Sequence, residues 1–172
     1  MLDELKAQQI PNMTILRVLR ALLAEKVFIR NLVTIFETMC EHGLEKEPVK
    51  LTEAVRAALA PQICEQFGGD KGTLEVLTLA PRIEEVIAKS SRGATAELNP
   101  QLIARFLDSL RKMLEDVIGG GGQPILLVSP RIRVQVRGLT QRLAPGMTIL
   151  SYNEIVPTVA VKTLGMVDAE VA

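Results

Sequence analysis

The chain has 172 residues, 48% of them hydrophobic, so it can form one ordinary domain or two small ones, and disorder is not expected. Lys plus Arg and Asp plus Glu each number 20, and aromatic residues make up only 3%, which argues against a broad nucleic-acid-binding surface or a base-stacking platform. The sequence contains no apolar run of about 18 residues and no secretory signal, so it predicts no membrane span in this chain.

The first half of the sequence predicts helices. Residues 2–9 form a short polar lead-in that is compatible with a helix. Asn12 or Thr14 is placed to cap the next helix, and Asn31 to cap the one after it, because these side chains accept hydrogen bonds from backbone N–H groups. A polar loop precedes Thr52, where we expect a third helix to begin. In each helix, apolar residues recur every three or four positions, which predicts one buried face.

Two features separate this first half from the rest. Pro61 lies inside the third apolar pattern and should kink or split that helix, since proline removes a backbone hydrogen bond. Residues 68–72 are rich in glycine and form the strongest boundary signal before the apolar period changes. The sequence therefore predicts a helical subdomain over residues 1–67 and an α/β subdomain over residues 73–172.

The second half predicts strands and helices in alternation. Residues 73–79 are rich in β-forming residues and indicate a strand, and Pro81 opens the helix that follows. Residues 90–93 form a loop or the tip of a small hairpin. Asn99 followed by Pro100 repeats the pattern of a cap and a first-turn proline, and the long helix that it opens has an apolar face broad enough to cover a sheet.

The clearest pattern is a strand–helix–strand unit near the C-terminus. Residues 125–128 are continuously apolar, as in a strand buried on both faces. Ser129 is expected to cap a helix that begins at Pro130. The apolar face of this helix is expected to consist of Ile132, Val136, Leu139 and Leu143. A strand at residues 147–150 should pair in parallel with the first, and a last strand covers residues 159–167. The predicted fold class is α+β: a small all-helical module followed by a small α/β sandwich with a mixed sheet.

The residue types that carry chemistry are few and isolated. Cys40 and Cys64 lack a Cys-x-x-Cys spacing, so we interpret them as buried thiols rather than as a disulfide or a metal site. His42 has no neighbouring ligand, and Ser129 has no histidine or acid arranged to activate it. Glu154 follows a strand as a single carboxylate without a visible partner. The sequence therefore predicts no catalytic residue, no cofactor and no metal site.

Two further stretches allow more than one interpretation. Residues 119–122 are all glycine, but they follow a helix and open a strand, the reverse of a phosphate-binding loop, so a plain linker is favoured. Arg131, Arg133 and Arg137, with Arg142 beyond them, give the predicted helix a basic side. That side is either a solvated face or a docking surface for an acidic partner. In the second case Arg131, Arg133 and Arg137 are the partner-binding residues.

Three separated blocks of sequence together resemble one known family. They are residues 18–38, residues 51–63, and residues 125–133 together with residues 150–155. With these blocks the chain is similar, over nearly its whole length, to the C-terminal cytoplasmic region of the flagellar and type III secretion export-gate family (FHIPEP). The Leu-Ser-Tyr-Asn-Glu-Ile run at residues 150–155, and the strand after it, look closer to the flagellar branch than to the virulence branch.

The resemblance implies an architecture and a set of partners. Members of the family are inner-membrane proteins whose cytoplasmic region has four subdomains and assembles into a nonameric ring. This region receives export substrates, chaperones and components of the soluble ATPase complex. Residues 1–67 correspond to the third, helical subdomain and residues 73–172 to the fourth, α/β subdomain. The membrane region and the first two subdomains, with the main chaperone-binding pocket, are expected to be absent, so Met1 is expected to begin a truncated chain.

The sequence departs from the family pattern at three positions. Asn31 stands where Asp is common, although both residues cap helices. Phe28 replaces a residue that is usually small or polar, and Pro61 is unusual inside its helix. We expect Phe28 and Pro61 to alter local packing in the helical module.

The resulting interpretation is a binding and assembly module of a protein-export gate at the cytoplasmic face of the bacterial inner membrane, not an enzyme. One alternative is a small α/β enzyme or nucleotide-binding domain with a helical appendage, which would respond to common nucleotides in a thermal-shift measurement. Another is a DNA-binding helical module with an α/β effector domain. The zero net charge and the lack of a basic recognition helix count against this second alternative.

Overall fold

A computed structural model describes residues 10–45, 47–68, 72–90 and 99–169 of the chain. The predicted lead-in at residues 2–9 and the predicted loop or hairpin tip after Ser90 lie outside these ranges.

The chain divides into two compact units. The helical unit consists of the residues up to Gly72 together with Asn153–Val159, and the α/β unit consists of Thr73–Tyr152 together with the residues from Ala160 onward. The predicted subdomains, residues 1–67 and 73–172, stay a prediction. The two compact units differ from these predicted subdomains in one respect: the segment Asn153–Val159 belongs to the helical unit.

Within the described ranges, the helical unit has four helices: α1 (Asn12–Ala24), α2 (Leu32–Glu41), α3 (Pro48–Ala58) and α4 (Ala60–Gly68). Two predicted helix starts are wrong. The helix α1 follows the extended backbone of Pro11 and has no side-chain cap, so neither Asn12 nor Thr14 caps it. The helix α3 begins at Pro48 and not at Thr52, because proline fits the first helical position, where the N–H has no partner in the helix.

Two other predictions about these helices are confirmed. The side chain of Asn31 caps α2, since its Oδ1 accepts a hydrogen bond from the Thr34 N–H at 3.2 Å. Pro61 splits the third apolar pattern into α3 and α4, with Leu59 between them. The split places Pro61 in the first turn of α4, where its missing N–H breaks no helical hydrogen bond.

The helix α3 is central to the helical unit because it contacts α1, α2 and α4. The buried apolar side chains of the unit include Val18, Leu22, Val27, Ile35, Met39, Leu51, Val55, Leu59, Ile63 and Phe67. Two glutamines of α4 also hold the connector between α1 and α2. Gln62 donates to the Phe28 carbonyl at 2.5 Å, and Gln66 donates to the Lys26 carbonyl at 2.6 Å. These bonds determine the path of the chain immediately after Glu25.

In the part of the α/β unit that is described, the strands are β1 (Thr73–Leu79), β2 (Ile125–Val128), β3 (Thr148–Ser151) and β4 (Ala160–Val167). The helices are α5 (Pro81–Ser90), α6 (Pro100–Gly119) and α7 (Arg133–Thr140), and a 3-10 turn covers Tyr152–Glu154. The strand order is β3-β2-β1-β4, and each neighbouring pair is parallel. The predicted α+β class and the parallel pairing of β2 with β3 are confirmed.

The predicted mixed sheet is wrong for the described strands, whose pairs are all parallel. Each connection between these strands crosses over and returns the chain in the same direction, so no antiparallel pair arises. In the pair that the sequence predicted, Ile125 lies opposite Thr148 and Val128 lies opposite Ser151.

The core of the α/β unit lies between the sheet and its three described helices. Its buried side chains include Leu77, Leu79, Ile83, Ile87, Phe106, Leu110, Leu114, Leu126, Val128, Ile132, Val136, Ile149 and Val167. Asn99 caps α6 as predicted, because its Oδ1 accepts from the Gln101 N–H at 2.9 Å. The cap and the first-turn proline therefore place the start of the longest helix over this core.

Strand β4 contains a β-bulge next to α6. Val76 pairs with Thr163 but Leu77 pairs with Gly165, so Leu164 is an extra residue in the strand. A Cβ atom on Gly165 would lie 2.3 Å from Cε of Met113 on α6. Glycine at this position therefore permits the close approach of β4 to α6.

Candidate functional site

A groove lies at the carboxyl ends of β1 and β2 in the α/β unit. Its volume is about 370 Å³, and its lining includes Glu84, Glu85, Lys89, Ser129, Arg131 and Ile132. Lys89 and Glu85 form an ion pair at 2.8 Å, and the Lys89 hydrogen bond lowers the pKa of Glu85. The groove is therefore of mixed charge rather than uniformly basic.

Glu84, in the first turn of α5, interacts with the residues that directly follow β2 and β3. Its Oε1 accepts a hydrogen bond from the Ser129 N–H at 3.0 Å, directly after β2. Burial raises the pKa of Tyr152, which follows β3, and the negative charge of Glu84 raises it further. Both effects disfavour the phenolate, so Tyr152 stays a hydrogen-bonding phenol at neutral pH.

Ser129 does not cap a helix, which corrects the sequence prediction. Its carbonyl accepts from the Ile132 N–H at 3.1 Å, forming a turn before α7, and the helix begins only at Arg133 with Ile132 as its N-cap residue. The contact between Glu84 and the Ser129 N–H supports this turn. Ile132 and Val136 of the predicted apolar face are nevertheless buried, and Leu139 and Leu143 pack partly buried against the same core.

The three predicted partner-binding arginines do not share one surface. Arg131 is exposed in the turn before α7, and Arg137 is partly buried, which lowers the pKa of its guanidinium group. Arg133 is only 1% exposed, and its Nη1 donates to the Ile149 carbonyl of β3 at 3.5 Å. The expectation that Arg133 faces solvent is wrong, because the buried face of α7 consists of Arg133, Val136 and Thr140.

A buried ionic cluster in the helical unit was not visible in the sequence. Arg56 on α3 donates from Nε to Oε1 of Glu154, and its Nη1 lies 3.2 Å from Oε2 of Glu25, directly after α1. The side chains of Arg56 and Glu154 are each 1% exposed and that of Glu25 is 9% exposed. Glu154 is therefore not the isolated carboxylate that the sequence indicated.

A local signal for this cluster did exist. Arg56 directly follows Val55 and lies one helical turn after Thr52, and all three are buried. An arginine on the buried face of a helix requires a carboxylate partner, since an unpaired buried charge is strongly unfavourable. The sequence did not show which carboxylate meets it, because the partners lie on other elements.

The thiol of Cys64 completes the surroundings of Glu154. The Cys64 Sγ–H donates to the Glu154 carbonyl at 3.2 Å, and the Val156 N–H donates to Cys64 Sγ at 3.4 Å. Cys64 is buried and Cys40 is partly buried, and the two do not form a disulfide. His42 is exposed just after α2, and its Nδ1 lies 3.0 Å from the Thr38 carbonyl.

Among the described residues, no group of three or more His, Cys, Asp or Glu side chains is arranged to hold a metal ion. In the same parts of the chain, no helix combines the length and the apolar character needed to cross a membrane.

Comparison with known proteins identifies the family of this chain. Residues 1–160 match the FHIPEP family. The chain belongs to the FHIPEP family. The resemblance carried by the three sequence blocks is thereby confirmed.

The chain has relatives named for flagellar biosynthesis and for the low calcium response. The chain is 40% identical over 157 residues to the flagellar biosynthesis protein FlhA of Bacillus subtilis (strain 168), covering 88% of this chain and 23% of that protein. It is 31% identical over 163 residues to the low calcium response locus protein D of Yersinia pestis, covering 92% of this chain and 23% of that protein. The chain therefore spans about a quarter of the length of these relatives.

Two solved structures contain a similar fold. A chain of the Chlamydia pneumoniae CdsV and CdsO protein complex matches with a TM-score of 0.84 and 31% identity, covering 96% of this chain and 49% of that chain. The nonameric EPEC SctV-C matches with a TM-score of 0.78 and 28% identity, covering 96% of this chain and 51% of that chain.

Proposed function

We propose that this chain is part of the cytoplasmic portion of a flagellar protein-export gate, at the cytoplasmic face of the bacterial inner membrane. Its role is assembly and docking: it associates with copies of itself and receives export substrates, chaperones and soluble export components. The family membership supports the general role, and the nonameric assembly of the similar SctV-C supports self-association.

The observation that carries this proposal is an exposed apolar stripe on α1. Met13, Leu16 and Leu23 lie at helical spacing on one face and are 57%, 39% and 53% exposed, whereas Val18 and Leu22 are buried on the opposite face. Clustered apolar side chains on a surface mark sites of protein association. We assign this stripe, defined as Met13, Leu16 and Leu23, to contact with a second copy of the chain.

Sedimentation velocity over a range of protein concentrations tests this assignment. The parent chain should show a rising average mass, and the double variant Leu16→Glu with Leu23→Glu should remain monomeric, because burying two carboxylates at a contact is unfavourable. Leu44→Glu is the matched control, since Leu44 is 97% exposed and lies away from the stripe. Equal association of the double variant and the parent, or a parent that stays monomeric throughout, contradicts the assignment.

We propose a docking role for two of the three basic residues that the sequence indicated. Arg133 is buried, so the acidic partner would meet Arg131 and the partly buried Arg137. Reversing both to Glu should slow association with an acidic export component, and the defect should shrink as salt rises, since screening weakens the interaction. The double reversal Arg111→Glu with Lys112→Glu is the control, since it makes the same change of charge on exposed residues of α6. Unchanged association rates at low salt would show that Arg131 and Arg137 are solvated and have no docking role.

The proposal makes this chain a binding module rather than an enzyme or a nucleotide-binding domain. The positions of Ser129 in a turn, His42 on the surface and Glu154 in an ion pair support this view. Common nucleotides should leave the thermal midpoint unchanged. A turnover that disappears on mutation of Ser129, His42 or Glu154 while the fold stays intact would support the enzyme alternative.

A further inference from the structure

The segment Asn153–Val159, which we call the strap, joins β3 to β4 but packs within the helical unit. Three polar contacts hold its first half. The Glu154 carboxylate accepts from Arg56, the Glu154 carbonyl accepts from the Cys64 thiol, and the Val156 N–H donates to Cys64 Sγ. The strap is thus attached at one charged residue and one thiol.

The strap has no fully buried apolar side chain. It is described throughout, and Glu154 is its only buried residue. Asn153, Pro157 and Thr158 are exposed, and the remaining three residues of the strap are partly buried. Segments with few buried apolar contacts open at lower free-energy cost than the core of a protein. The ion pair with Arg56 is the most deeply buried contact of the strap.

We propose that the strap opens and closes as one element, with the Arg56–Glu154 ion pair as its latch, while α1 to α4 remain folded. The second carboxylate makes this opening possible. Glu25 follows α1 and belongs to the helices, so it stays beside Arg56 as a counter-ion when Glu154 leaves. Without Glu25, opening would leave the buried guanidinium group with less compensating negative charge, which is unfavourable.

Glu25 and Glu154 consequently have opposite effects on the latch. Glu154 stabilises the closed state directly. Glu25 stabilises Arg56 in the open state, and in the closed state it competes with Glu154 for the same guanidinium group and repels its carboxylate. A cluster with a purely structural role would instead lose stability in the same way when either carboxylate is neutralised.

Cys64 reports the opening, because the closed strap engages its thiol both as a donor and as an acceptor. In the whole chain with Cys40→Ser, a thiol reagent such as dithionitrobenzoate labels only Cys64. Hydrogen exchange provides a second measurement, since the Val156 N–H is released by the same opening. Both measurements should show that the strap opens more often than the α3 backbone amides exchange. Equal protection of Val156 and of the α3 amides would mean that the strap is released only by global unfolding, and would overturn the proposal.

Two neutralising variants in this background test the latch. Glu154→Gln should accelerate labelling of Cys64 by at least about tenfold, because a neutral amide binds a buried guanidinium group more weakly than a carboxylate does. Glu25→Gln should slow the labelling. Glu65→Gln, an exposed residue next to Cys64, is the matched control and should leave the rate unchanged.

The labelling is measured in native buffer, and protection of the α3 amides is recorded for each variant to separate strap opening from unfolding. The proposal is overturned if Glu154→Gln and Glu25→Gln both accelerate labelling, or if the Val156 amide is as well protected as the α3 amides in either variant. Opposite changes in the two variants, with the α3 amides still better protected than Val156 after Glu154→Gln, support it.

Discussion

At the residue scale, Arg131 and Arg133 are close in sequence but lie in opposite environments. Arg133 is buried against β3, and Arg131 is exposed. Arg133→Glu should lower the free energy of unfolding by about 3 kcal/mol or more, because it buries a carboxylate beside a carbonyl oxygen. Arg131→Glu should change it by less than about 0.5 kcal/mol, as surface substitutions usually do. Urea unfolding of the two variants measures the difference, and equal midpoints would contradict the burial of Arg133.

Tyr152 is the only tyrosine in the chain, and the chain has no tryptophan, so its ionisation can be followed directly by ultraviolet absorption. In the native protein the Tyr152 pKa should lie above its ordinary value of 10.0, because burial and the charge of Glu84 both disfavour the phenolate. Glu84→Gln should bring the pKa closer to that value. Glu85→Gln serves as the control, since Glu85 does not contribute to the shift.

A native titration of Tyr152 indistinguishable from that of the urea-unfolded chain would contradict the partial burial of Tyr152 near the charge of Glu84. The direction of the shift also has a consequence for stability. Below the pKa of Tyr152 in the unfolded chain, the raised pKa does not change the free energy of unfolding. As the pH rises above that value, the unfolded chain ionises first, so the folded protein loses stability.

At the scale of elements, the packing of β4 against α6 depends on Gly165. A methyl group there would meet Cε of Met113, the mobile end of a flexible side chain, so Met113 must change rotamer. Gly165→Ala should therefore cost about 1 kcal/mol, in the range for modest overpacking. In a Met113→Ala background the same substitution should be neutral or slightly stabilising, because the space is free and alanine restricts the unfolded chain. A double-mutant cycle measured by urea unfolding tests this coupling, and additive effects would contradict it.

At the scale of the whole molecule, the helical unit is assembled from two separate stretches of chain. A protein that ends at Gly72 keeps Glu25 beside Arg56 but lacks Glu154. Its helices should be less stable than those of the intact chain by about 2 kcal/mol, in the range for a lost hydrogen bond to a charged group, because Glu25 still compensates the charge of Arg56. Helical circular dichroism during urea unfolding, with α3 amide protection in the intact chain as reference, measures this loss.

A peptide of residues 152–160 supplied in trans should raise the thermal midpoint of that shortened protein, since a ligand that binds only the folded state stabilises it. The same peptide with Glu154→Ala should have a much smaller effect. If neither peptide shifts the midpoint, the strap does not bind the helices in the way that the structure indicates.

Local chemistry allowed much of the element order to be predicted. Asn31 and Asn99 cap their helices, and Pro61 divides α3 from α4, because each effect acts within one helical turn. The apolar strand β2 is also where the sequence indicates. Errors occurred where competing local signals were close together, as at Ser129, where a turn supported by Glu84 replaces the first turn of the predicted helix.

The sequence by itself determined the membership of the FHIPEP family, the alternation of elements and the α+β class, since these depend on composition, periodicity and recognisable blocks. Only the tertiary structure decided that Arg133 is buried, that the described sheet is parallel, and that Arg56 meets Glu154. The last two residues are 98 positions apart. A contact over such a separation depends on the relative placement of whole elements, and the periodicity of a single segment carries no information about that placement.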